Sequence, residues 1–78
     1  MEGYEIMEME IIKKLDVLIN HWMEHNREHI AEYEKWALKA KDEGLSDVSR
    51  AIQTASEVIQ KSNDNLQEAL NSLQSYKE

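Results

Sequence analysis

Apolar residues along this chain recur at alternating steps of three and four, the spacing that places them along one side of a helix. In the second half the line runs through Leu45, Val48, Ile52, Ala55, Ile59, Ser62, Leu66, Ala69, Leu73 and Tyr76, with Ser62 as its polar interruption. In the first half it runs through Ile12, Leu15, Ile19, Trp22, Asn26, His29, Tyr33, Trp36 and Ala40, and is widened by Ile11, Leu18, Ile30 and Ala37. No two-residue alternation of strand type occurs. The spacing therefore predicts two long amphipathic helices.

Between them, Lys41, Gly44, Leu45, Ser46 and Asp47 form a stop and a restart. Glycine accommodates the left-handed residue that ends a helix, Leu45 can supply the apolar contact of that cap, Ser46 can cap the next helix, and Asp47 favours its first turn. The expected elements are a helix over 4–43, a turn at 44–45 and a helix over 46–76, in a single domain over 1–78. So short a connection makes the helices antiparallel, an all-α helical hairpin. Residues should then face one another when their numbers sum to about 89, because the rise per residue is equal on both sides of the turn. Two helices cannot cover apolar faces this broad, so two hairpins are expected to pair as a homodimeric four-helix bundle. Trp22, Tyr33 and Trp36 read as core and interface filler.

Composition narrows the function. The chain has 78 residues, no cysteine, no proline and two glycines. A chain this short builds only a marginal core alone, which again favours association. Without cysteine there is no disulfide framework, thiolate metal site or thiol catalysis. A formal charge of −7 with no basic stripe opposes binding to nucleic acid or anionic lipid. The acidic opening MEGYEIMEME resembles no targeting peptide, and no apolar run could span a membrane, which points to a cytoplasmic protein. Glu2, Glu5, Glu8 and Glu10 read as a solvated helix start. Met7, Met9 and Met23 read as packing rather than a soft metal site.

The chemistry is concentrated in HWMEHNREH, residues 21–29, which contains all three histidines at four-residue spacing. Two imidazoles four residues apart on a helix can hold one ion. At about 100° per residue, His29 lies about 20° from Trp22, His25 about 60° and His21 about 100°, so His29 is expected to face inward and His21 to be half exposed. His21 and His29 are about 12 Å apart along the axis, too far for all three to bind one ion. His25 and His29 are the principal expected ligands, with His21 peripheral and Glu32 the nearest additional carboxylate. Nitrogen and oxygen donors without thiolate suit nickel, zinc or iron far better than copper(I), with nickel or zinc the expected ion.

A metal-free alternative is a polar core layer of Asn26, His29, Ser62 and Asn63 that fixes register in a structural or adaptor module for a protein partner. A histidine proton switch or axial haem ligation would use the same rings. Catalytic signatures are missing: there is no phosphate loop, nucleophile elbow, HExxH or paired Glu-x-x-His, so a non-catalytic protein is expected.

The segment HWMEHNREHIAEYEKWALKAKDEGLSDVSRAIQTASEVI, with its H-W-x-x-H-N-x-x-H, Y-x-x-W and EGL elements, resembles a helical hairpin of uncharacterised archaeal and bacterial proteins. That hairpin also occurs beside the nickel-binding domain of CooT-type accessory proteins. The resemblance covers about residues 20–73 and implies an association with metallocentre maturation. The nickel ligand of that family lies in a separate domain and involves cysteine, so the resemblance assigns no ligand role to His21, His25 or His29.

Overall fold

The computed structural model describes residues 2–77, with side chains from residue 8 onward. The proposed roles of Glu2, Glu5 and Met7 therefore fall outside the described side chains. Two helices, α1 (Glu2–Asp42) and α2 (Ser46–Lys77), form a hairpin. It is 63 Å long and about 14 Å across in its other two dimensions, as expected for 41 helical residues at about 1.5 Å each. Three of the four helix bounds shift by one or two residues from the expected ones, and α2 begins at residue 46 as expected.

The turn works as its residues predict at Gly44 and differently at Ser46. Gly44 has φ of +80°. Its N–H donates to the Lys41 carbonyl at 3.0 Å and the Leu45 N–H donates to the Ala40 carbonyl at 2.9 Å, the paired bonds of a Schellman stop. Ser46, expected as a cap, is instead the first helical residue. The Leu45 carbonyl accepts from the Ser49 N–H at 2.9 Å, so Leu45 occupies the capping position. A Cβ at Gly44 would meet nothing within 4 Å, so only the backbone conformation resists a side chain there. Gly44→Ala should therefore cost roughly 1–2 kcal/mol in thermal or urea unfolding; an unchanged midpoint would show that the left-handed stop is dispensable.

The seam lies one residue away from the expected line at alternate positions. On α2, Ser49, Ser56, Asn63, Leu70 and Leu73 are buried, while Val48, Ala55, Ser62, Ala69 and Tyr76 are exposed. On α1, Ile19, Met23 and Ala37 are buried, Asn26, Ile30 and Tyr33 are half-buried, and Trp22, His29 and Trp36 are exposed. The expectation that His29 faces inward is therefore corrected; of the residues expected as core and interface filler, Tyr33 is half-buried in the seam, and Trp22 and Trp36 lie outside the hairpin core.

The reason is steric and polar. Small residues let the two backbones approach, and their polar atoms bond across the gap. Ser49 Oγ donates to the Ala37 carbonyl at 2.7 Å. Asn63 Nδ2 donates to the Met23 carbonyl at 3.0 Å, and Asn26 Nδ2 donates to Asn63 Oδ1 at 2.8 Å. No buried side-chain nitrogen or oxygen among the described residues lacks a partner. Asn26 opposite Asn63 satisfies the facing sum of 89. The apolar centre beside this layer is Ile19, Met23 and Leu70, with Leu15 and Leu66 packed against it.

By the same sum, Lys77 lies level with residue 12, so α1 projects about ten residues, or about 15 Å, beyond the end of α2. Lys77 Nζ is paired with the Asp16 carboxylate near that open end.

Candidate interaction face and histidine pair

In an antiparallel pair, residues rotated equally and in the same sense away from the seam lie on the same side of the hairpin. Trp22, His29 and Trp36 on α1, and Val48, Ala55, Ser62, Ala69 and Tyr76 on α2, all sit one residue before a seam position. They consequently share one flank, extended on α1 by Ile11, Leu18, His25 and Glu32. Trp22 is 44% exposed, Trp36 52% and Val48 50%. The α2 half of this flank, completed by Ala51, Val58, Asn65 and Ser72, carries no ionisable charge between residues 48 and 72. The opposite flank is polar, with Lys13, Asn20, Arg27 and Glu34 on α1 facing the same way as Gln53, Gln60, Gln67 and Gln74 on α2. Leu38, 60% exposed, is a single apolar residue on this flank, and Val17 projects from the back of α1; isolated exposed apolar side chains are ordinary for a surface.

All three histidines are exposed. His25 and His29 come together: their Nε2 atoms are 3.0 Å apart, with ring centroids at 4.5 Å in an edge-to-face arrangement. The other nitrogen of His25, Nδ1, lies 3.9 Å from Glu28 Oε2. His21 stacks on His25 with ring centroids 6.5 Å apart. Glu32, the expected additional carboxylate, is occupied elsewhere, accepting a hydrogen bond from Trp36 Nε1 at 3.0 Å. Lys39 Nζ sits 4.6 Å from the centroid of the same indole. Ser62 is exposed on the apolar flank, so the polar layer of the seam contains Asn26 and Asn63 without His29 or Ser62.

Among the described residues, no group of three or more histidine, aspartate or glutamate side chains could hold a metal ion. A single hairpin offers two imidazole ligands. Asn63 takes the place expected of it in a polar layer with Asn26, whereas the role of Ser49 as a bonded seam residue was not read from the sequence. Its signal was present in the seven-residue repeat of small polar residues at 49, 56 and 63.

No helix among the described residues is long and apolar enough to cross a membrane. Neither the curated proteins nor the solved structures contain a match to this chain. A family model described as Domain of unknown function (DUF8180) matches residues 15–73. The ends of that span lie level with each other, so the match takes in the closed two-helix unit and omits the projecting start of α1. The chain belongs to this family of uncharacterised domains.

Proposed function

We propose that this protein is a non-catalytic assembly module, in which the apolar flank of one hairpin closes on the same flank of a second copy to make a dimeric four-helix bundle. The supporting observation is the segregation of the two flanks: one carries both half-exposed tryptophans beside an uncharged face of α2, and the other carries lysine, arginine, glutamate and four glutamines. An amphipathic layer of this kind requires a second apolar layer.

A second copy fits that requirement on charge and on area. Two chains of formal charge −7 repel, but the α2 flank brings no ionised group to the contact between Val48 and Ser72. The two-helix part is about 47 Å long by helical rise, and the hairpin is 14 Å wide. That gives about 650 Å² per copy and about 1,300 Å² for the pair, within the range of roughly 1,200–2,000 Å² typical of stable interfaces. The acidic exterior would remain for a further protein partner. Acrylamide quenching of tryptophan fluorescence tests this reading. Slow quenching at micromolar concentration, well below that of free indole, is expected; quenching typical of half-exposed indoles at every concentration would overturn it.

A second reading, handling of a divalent transition metal such as nickel or zinc, is favoured by the 3.0 Å approach of His25 to His29. It would agree with the resemblance to hairpins that accompany CooT-type nickel proteins, and a cytoplasmic location would suit both readings.

A further inference from the structure

Two metal–imidazole bonds of about 2.0–2.1 Å, meeting at the roughly 90–110° angles of square-planar, octahedral or tetrahedral ions, separate their nitrogens by about 2.9–3.4 Å. The His25 and His29 Nε2 atoms are 3.0 Å apart. The two nitrogens, hydrogen-bonded to each other in the hairpin, are thus spaced within the bite of a chelate, and an ion between them would replace that bond. Glu28 Oε2 lies 3.9 Å from the other nitrogen of His25, Nδ1, beyond hydrogen-bond distance. What one hairpin lacks is the remaining ligands.

The pairing of hairpins supplies them. The two helices overlap from residue 12 to residue 42 of α1 and over the whole of α2, so full overlap of two antiparallel hairpins places the two-fold axis at mid-overlap, level with residues 27 and 62. The side-chain pattern has the same centre. Leu18 and Trp36 are equidistant from residue 27, as are His25 and His29; Val48 and Tyr76 are equidistant from residue 62, as are Ala55 and Ala69. Residues 27 and 62 sum to 89, the facing sum established by Asn26 and Asn63. A two-fold axis perpendicular to the helices meets both patterns at their midpoints. The antiparallel arrangement also sends the projecting ends of α1, with Glu8 and Glu10, to opposite ends of the dimer, whereas turn-to-turn pairing would crowd them at one end.

Resting on the assembly proposed above, we infer that the dimer holds one divalent transition-metal ion at its two-fold axis, bound by His25 and His29 of both copies. In this register His25 of each α1 lies opposite His29 of the other. Four neutral nitrogen donors suit zinc(II) or nickel(II), while calcium and magnesium prefer oxygen and copper(I) prefers sulfur.

Calorimetric titration of the chelator-stripped full chain with zinc(II), and separately with nickel(II), tests the site when combined with a measurement of mass. One ion per two chains is expected. His25→Ala and His29→Ala should each lower affinity by more than about 100-fold, the upper range of losses caused by outer-shell changes alone. Both variants should remain helical dimers without metal. A dimer that binds neither ion, binds one ion per chain, or keeps its affinity in both variants overturns the site and leaves the pairing standing. A monomeric parent protein that binds no metal overturns both.

Discussion

Replacing Trp36 with glutamate should convert the protein from dimer to monomer at micromolar concentration. The indole is half exposed in the hairpin. A tryptophan buries up to about 150–250 Å², so each ring has on the order of 100 Å² still to cover. At about 25 cal/mol per Å², that is roughly 2.5 kcal/mol per ring and about 5 kcal/mol for the two rings of a symmetric dimer. The substitution removes this and brings a carboxylate to a face whose α2 half is uncharged. A dissociation constant higher by about three to four powers of ten follows. Gln67→Glu, on the opposite flank, adds the same charge and should leave the mass unchanged. Sedimentation of the two variants side by side checks this; equal dimerisation of both would place the interface elsewhere.

Asn63→Ala should destabilise the hairpin itself. Asn63 is 5% exposed, accepts from Asn26 and donates to the Met23 carbonyl. Truncation strands the Asn26 amide in the half-buried seam and opens a gap, costing about 1–3 kcal/mol. For a chain of this size the melting temperature should fall by roughly 5–20 °C. The double replacement Asn26→Leu with Asn63→Leu should behave differently, because an apolar pair leaves no donor unsatisfied. Its melting temperature should recover to that of the parent or exceed it, while the register that the two amides specify is weakened. If Asn63→Ala melts within a degree of the parent, the amide layer is not what ties the helices together.

The helices, their antiparallel course and their relative level were legible in the sequence. Gly44 marks the stop because a left-handed residue ends α1 there, and the counting rule that follows from the turn places Asn26 against Asn63. The identity of the seam was not legible from apolar spacing. Trp22, Trp36, Val48 and Tyr76 are the more hydrophobic choices, and the hairpin instead buries Ala37, Ser49, Ser56 and Asn63. Close backbone approach and cross-helix hydrogen bonds outweigh side-chain hydrophobicity at those positions, and apolar bulk can be left for a second layer. The same one-residue rotation explains the histidines. His29 was expected beside the core on the strength of its closeness to Trp22; both lie on the exposed flank, where His29 meets His25 instead of α2. The four-residue spacing did reveal that pair, while Glu32, chosen by proximity along the helix, is engaged by the Trp36 indole.

Sedimentation equilibrium of the metal-free parent chain across a range of concentrations bears most directly on the self-pairing of the apolar flank. Pairing predicts a mass twice the 9.2 kDa of one chain, falling toward the single-chain value only on strong dilution. A fully helical, cooperatively melting species of 9.2 kDa at high micromolar concentration would contradict it.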